Sequence, residues 1–136
     1  MSVNLTPRMK AWVEGMGAHV ATATAGGWPT VTVIEKAQVE GATVSFALTE
    51  AQVAQVASNL KENGQVAIAP GQLGSVRAPY QFKGAGTLQD GHLVVEVNEI
   101  YCTRPGPESA LRMDNMGYDE MRRWEEERWR DLPPAG

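Results

Sequence analysis

Ser45-Phe-Ala-Leu-Thr-Glu-Ala-Gln-Val-Ala-Gln-Val-Ala-Ser-Asn-Leu-Lys-Glu-Asn-Gly-Gln-Val-Ala-Ile-Ala69 is the stretch whose reading decides the fold. It begins inside an apolar, β-type run, Thr43–Leu48. Thr49 then leads a turn, and Val53, Val56, Ala57 and Leu60 recur at the i, i+3, i+4, i+7 spacing of a helix over Gln52–Glu62. Asn63-Gly64 closes that helix, and Gln65–Ala69 reads as a short buried strand. The result is a strand–helix–strand unit set into a chain whose remaining signals are mostly antiparallel β.

Those signals run in both directions from it. Thr6 before Pro7 is a helix start, with Met9, Trp12, Val13 and Met16 at helical spacing and Gly15 and Gly17 as a stop. His19–Ala25 and Trp28–Ile34 alternate about Gly26-Gly27, a hairpin signal. Glu40-Gly41 makes a turn before Thr43. Residues 70–79, with Pro70, Gly71, Gly74 and Pro79, read as a loop. Tyr80–Leu88 and Leu93–Tyr101 are strands joined by Asp90-Gly91, and Arg104-Pro-Gly-Pro107 ends the β pattern. Gly84-Ala-Gly86 lies within a strand, with no helix after it, so it marks a bend or a close neighbour rather than a dinucleotide fingerprint. The tail from Tyr118 to Leu132 reads as a helix with Tyr118, Met121, Trp129 and Leu132 on one face and Trp124 at its edge. Asp119–Arg123 and Glu126–Arg130 have ion-pair spacing, and Glu125-Glu126-Glu127 reads as a solvated face. The expected architecture is mainly β with peripheral helices: a six-stranded antiparallel barrel over 18–113, a helix within 1–17 and a helical tail over 114–136, all in one domain.

Composition narrows the function classes. The chain has 136 residues, of which 43% are hydrophobic and 21% charged, ordinary values for one globular domain. The net charge of −4 and the absence of a basic run argue against nucleic acid or an anionic membrane as partner. No stretch approaches the ~20 apolar residues that span a bilayer, and a secretory core is missing at the N-terminus, so a cytoplasmic location is expected. One cysteine, Cys102, excludes an internal disulfide and reads as a spectator in or near a strand.

Self-contained catalytic machinery is hard to find. His19, His92 and Cys102 lack the spacing of a zinc site. Ser45, Ser58, Ser75 and Ser109 lack a nucleophile-elbow context. A small barrel without its own acid, base or metal either binds something or takes its chemistry from a cofactor.

Three stretches sharpen this. They are Gly27-Trp-Pro-Thr-Val-Thr-Val33, then Phe46-Ala-Leu-Thr49 with Asn59-Leu60 and Asn63-Gly-Gln-Val-Ala-Ile68, then Val95-Glu-Val-Asn-Glu-Ile-Tyr101 with Arg104-Pro-Gly-Pro107. Their order and spacing resemble the pyridoxamine 5′-phosphate oxidase-like, FMN-binding split-barrel family, over about Ala18 to Met113. The resemblance implies a homodimer with FMN at the subunit interface and a small-molecule redox substrate, in a flavin-dependent oxidoreductase or electron-transfer protein. By position it points to Val31, Thr32 and Val33 on one strand, Thr49, Glu50 and Ala51 at the turn, and Gln55 and Asn59 on the helix. Lys36 would lie at the pyrimidine edge of the ring, and Gln81 would reach over from the other subunit. Free N–H groups at the helix start would face the phosphate.

One departure stands out. The family commonly places Arg or Lys three or four residues before the Asn-Leu pair, where this chain has Gln55 and Val56. Replacing a charge-assisted contact by an amide costs about 1.5–3 kcal/mol. Lys36, Lys61, Arg77 and Lys83 are the cations that could compensate. The alternatives to an FMN enzyme are a non-enzymatic dimeric barrel that has lost tight FMN binding, and a split barrel using deazaflavin or haem, for which His19 and His92 are the available ligands.

Overall fold

The structure is a computed structural model and describes residues 2–71 and 78–129. Gly74, Ser75, Arg77, Arg130 and Leu132, singled out above, lie outside the described residues. The chain order is α1 (Pro7–Met16), β1 (Ala18–Ala23), β2 (Pro29–Ile34), β3 (Ala37–Glu40), β4 (Thr43–Ala47), α2 (Glu50–Glu62), β5 (Gln65–Pro70), β6 (Tyr80–Gln89), β7 (His92–Cys102) and α3 (Tyr118–Trp129).

All strands among the described residues join one sheet in the order β2-β1-β5-β6-β7-β4-β3, every pairing antiparallel. Its two edge strands, β2 and β3, are neighbours in sequence, separated only by Glu35 and Lys36. Three Cα–Cα steps reach at most ~11 Å. Seven strands laid flat would hold their edges roughly 29 Å apart. The sheet must therefore curl until its edges nearly meet, which makes a barrel with a split at Glu35-Lys36.

Among the described residues the barrel has seven strands where six were expected. The extra one is β3, which pairs with β4 from Ala37↔Phe46 to Glu40↔Thr43. Ala-Gln-Val-Glu is four residues long and buries only Val39 fully, too little alternation to register as a strand. The other elements fall close to their expected bounds. Asp90 and Gly91 both take positive φ (49° and 77°), the conformation a two-residue hairpin needs. Gly84 sits where the β6–β7 register shifts; a Cβ there would lie 2.0 Å from the Glu96 carbonyl oxygen, so only glycine fits.

The inward faces supply the core: Val20, Ile34, Val44, Phe46, Ile68, Phe82, Leu93, Val95 and Ile100. Met9, Trp12 and Val13 of α1 close one side. Thr6 caps α1, accepting the Met9 N–H at 3.3 Å.

The α3 helix corrects two expectations. Tyr118 is exposed, whereas Glu125, read as solvated, is 2% exposed and shares the buried face with Met121 and Trp129. Its carboxylate accepts hydrogen bonds from the Thr6 hydroxyl at 2.9 Å and from the Tyr80 hydroxyl. Burial raises the Glu125 pKa above the usual carboxylate range, and the two hydroxyl donors oppose that rise. Burial and the facing carboxylate likewise push the Tyr80 phenol upward, so it stays a donor. The helix is thus docked onto the barrel of its own chain. Trp129 is fully buried there, edge-on to Tyr80 at 5.2 Å.

Candidate functional site

Helix α2 is tied to the β1–β2 hairpin by a row of polar side chains. Gln52 Nε2 donates to the Val33 carbonyl at 2.9 Å, and Thr32 Oγ1 donates to Gln55 Oε1 at 2.9 Å. Asn59 Nδ2 donates to Thr22 Oγ1 at 3.0 Å, and Asn63 Nδ2 to the Thr24 carbonyl at 3.3 Å. Positions 52, 55, 59 and 63 advance by three or four residues and share one helical face. Thr22, Thr32 and Asn59 are buried, so each hydroxyl or amide needs such a partner.

At the N-terminal end of this row lies a groove of about 630 Å³, lined by Val33, Glu35, Lys36, Ala47, Leu48, Thr49 and Gln52. It sits at the split, because β2 ends there, Lys36 bridges to β3, and β4 turns into α2. A second hollow of about 380 Å³ continues from it past Glu35, Lys36 and Ala47 to Glu14, Gln38, Ser45 and His92. Both volumes fall in the range of small-molecule sites.

Three residues named from the sequence, Val33, Lys36 and Thr49, line the first groove together. Glu50 and Ala51 form the adjoining first turn of α2, exposed. Val31 is 59% exposed on the outward face of β2. Thr32 points the other way, inward to α2, and Asn59 is buried against Thr22 rather than open to a ligand. Gln81 lies on β6, in a separate cleft with Lys83 and Tyr101. Gln52 was not foreseen. It forms a capping box, its N–H donating to Thr49 Oγ1 at 3.2 Å and its Oε1 accepting the Thr49 N–H at 3.0 Å. The Thr49-x-x-Gln52 spacing is the signal that marks it.

The anion-binding properties of this end are modest. The capping box already engages helix-start donors, and Glu50 places a carboxylate in the first turn. Gln55 is committed to Thr32, and Val56, the second position where a cation is usual, is fully buried. Lys36 is the one cationic side chain lining the groove among the described residues. No group of three or more metal-binding side chains occurs among the described residues. His92 is exposed, with Nδ1 3.1 Å from the Asp90 carbonyl, and His19 is half-buried on β1. Cys102 is buried, and that burial raises its thiol pKa. No helix among the described residues is long and apolar enough to cross a membrane.

Solved structures share this architecture. HupZ of Group A Streptococcus, in a tagged form, superposes with a TM-score of 0.62 at 20% identity, covering 77% of this chain and 98% of that one. A variant of the same protein with one histidine changed to alanine gives a TM-score of 0.53 at 18% identity, covering 71% and 97%. General Stress Protein 26 of Bacillus anthracis str. Sterne gives 0.50 at 11% identity, covering 69% and 89%. No family model and no curated protein sequence matches the chain. At such identities the likeness carries the fold and nothing finer. The likeness is one of fold: this chain shares with these neighbours the split-barrel architecture, here a curled seven-stranded sheet opened at Glu35-Lys36.

Proposed function

We propose that this protein is a homodimeric split barrel that holds an FMN-type ligand with modest affinity in the groove beside Lys36 and serves redox chemistry through it. The observation that carries the reading is the convergence of Val33, Lys36 and Thr49 on one groove of about 630 Å³ at the split. Val33 and Lys36 lie at and just past the end of β2 and Thr49 at the start of α2, so two separate stretches meet there, and the family resemblance points to both.

The residues fit the ring of such a ligand better than its phosphate. Val33 gives an apolar wall, Leu48 a half-buried one, and the Thr49 hydroxyl and backbone groups at the split give polar edges. Lys36 supplies a positive charge beside them. The phosphate end lacks the usual cations, since Gln55 is uncharged and Val56 lies in the interior. Losing one charge-assisted contact weakens binding by roughly one to two decades. When bound, the flavin supplies the hydride- or electron-accepting ring. The protein's own part is to orient it, to neutralise charge with Lys36 and to keep bulk water from its apolar face.

The dimer is supported by the outer sheet face. Val31 and Val33 are 59% and 41% exposed, and Trp28 beside them is 78% exposed. Ala21 and Ala67 continue that face across β1 and β5 in register with Val31. Exposed aliphatic side chains beside small residues on the outward face of the barrel, with an exposed tryptophan just before β2, match the composition of a subunit interface. Of the other tryptophans, Trp12 and Trp129 are spent on this chain's own core and lend the dimer nothing.

A second reading is favoured by the Thr32–Gln55 bond and the buried Val56: the pocket has been rebuilt as structure, leaving a non-enzymatic binding module. An absorption spectrum of natively purified protein, followed by FMN titration, separates the two. Flavin bands, or uptake of added FMN with a Kd of about a micromolar, support the first reading. A colourless protein that takes up no FMN at about a hundred times that concentration leaves the module; a Soret band assigns haem instead.

A further inference from the structure

We propose that Gln52 is the positioning residue of the groove: its side-chain amide holds the end of β2 against the start of α2, and so presents the Thr49 hydroxyl as a donor to an acceptor edge of the ligand. The inference rests on the flavin reading above and names what fixes the geometry of that site.

Gln52 lines the groove, yet both ends of its side-chain amide are bonded to protein backbone. Nε2 donates to the Val33 carbonyl at 2.9 Å, and Oε1 accepts the Thr49 N–H at 3.0 Å. Each bond goes to a different wall. Val33 stands near the end of β2, an edge strand of the sheet, and Thr49 is the N-cap of α2. One side chain therefore ties together two segments that only folding brings side by side. In the row of Gln52, Gln55, Asn59 and Asn63, Gln52 is the member that lines this groove.

The amide itself is the telling feature. A capping box needs only an acceptor at this position, and glutamate supplies one as well as glutamine does. Glutamate would also suit the positive end of the helix dipole. What glutamine adds is a donor, and that donor is used 19 residues away, on the Val33 carbonyl. A carboxylate in its place would face the carbonyl oxygen with no hydrogen between them, which pushes β2 and α2 apart.

The same residue sets the polarity of Thr49. The Thr49 hydroxyl oxygen accepts the Gln52 N–H at 3.2 Å, and among the described residues no protein group accepts its proton. The Thr49 edge of the groove is thus a donor, matched to a ring carbonyl or ring nitrogen. Its usefulness depends on its distance from the Val33 wall, and a site loosened by a fraction of an ångström loses that match.

The test is fluorescence titration of FMN against wild type, Gln52→Glu and Gln52→Met. Gln52→Glu keeps the capping acceptor and removes the donor. At neutral pH it binds FMN about tenfold more weakly than wild type, with a similar melting temperature because the charge at the helix start offsets the lost bond. On acidification toward the ordinary carboxylate range the introduced carboxyl takes a proton and can donate to the Val33 carbonyl. The affinity ratio between wild type and variant then closes, which a loss of stability alone does not produce. Gln52→Met has neither donor nor charge and binds weakly at every pH, measured well below its melting temperature. Wild-type affinity in Gln52→Met means that the carboxylate of the other variant only repels the phosphate, and it overturns the inference. So does wild-type affinity in Gln52→Glu at neutral pH, or a ratio that stays constant on acidification. In each of these cases the flavin reading stands; failure of wild type to bind FMN overturns both.

Discussion

Thr32 Oγ1 donates to Gln55 Oε1 at 2.9 Å, joining the strand and the helix on which the family resemblance places a ligand. Thr32 is only 4% exposed, so this bond satisfies a hydroxyl that would otherwise be buried alone. The residue standing where a phosphate-binding cation is usual thus has a structural task in this chain. Stability and ligand affinity are opposed at this position.

Gln55→Lys separates them. The substitution puts a cation on an exposed position of α2 and removes the acceptor for Thr32. FMN binding tightens about tenfold, while thermal unfolding reports a loss of about 1 kcal/mol. A variant that loses stability without gaining affinity shows that the phosphate lies away from this end of α2.

Val56→Lys behaves differently, although it changes the neighbouring position. Val56 is fully buried. A lysine there must bury or lose its charge, at a cost on the order of 3 kcal/mol. The expected outcome in chemical denaturation is a strongly destabilised protein with no gain in FMN affinity. A stable variant would mean that α2 can rotate this face to solvent.

Lys36→Ala is the direct probe of the groove. Lys36 is exposed, so the fold tolerates its loss. FMN affinity falls about tenfold, with the melting temperature unchanged. Equal affinity in the two proteins would move the ligand out of the groove at the split.

Val31→Glu tests the subunit interface. It sets a carboxylate on the outward face of β2, the face proposed above to form the dimer contact. Light scattering is expected to report a monomer at micromolar concentration where wild type is a dimer, and FMN binding falls with it. A wild-type monomer would remove the shared pocket.

Glu125 gives a pH dependence. Its pKa is raised from 4.5, chiefly by burial, so the folded state binds the proton more tightly than the unfolded chain. That contribution to stability is complete below the ordinary carboxylate value and is lost as pH rises through the raised one. The groups around it are Tyr80 on β6, Thr6 and Arg8 at the start of α1, and Glu126 on α3 itself. Glu125→Gln cannot titrate, so the stability of wild type relative to this variant falls as pH increases above about 4.5. Denaturation curves of both proteins across that range check the sign.

The helix starts at Thr6 and Thr49, the Asp90-Gly91 turn and the bend at Gly84 were all legible in the sequence. Each follows from local backbone chemistry: a cap oxygen, a positive φ or a missing Cβ. Val33, Lys36 and Thr49 were named only through the family resemblance, and the structure places them along one groove. β3 was not, because four residues with a single fully buried valine carry no period. Glu125 was misread because its neighbours Glu126 and Glu127 are exposed. Only the arrival of Thr6 and Tyr80, distant in sequence, makes a buried carboxylate tolerable there.

The sequence by itself therefore determined the order of elements and the strand–helix–strand at Ser45–Ala69, since caps, turns and apolar spacing act over a few residues. Tertiary structure decided how that unit is used. Closing the sheet through Glu35-Lys36 brings the end of β2 against the start of α2, turns Gln55 and Asn59 to the threonines of the hairpin, and buries Val56. The same closure leaves Lys36 at the split and Lys83 on the outer face. Which side chains bond to the protein and which remain for a ligand depends on partners that are remote in sequence, and no local pattern encodes them.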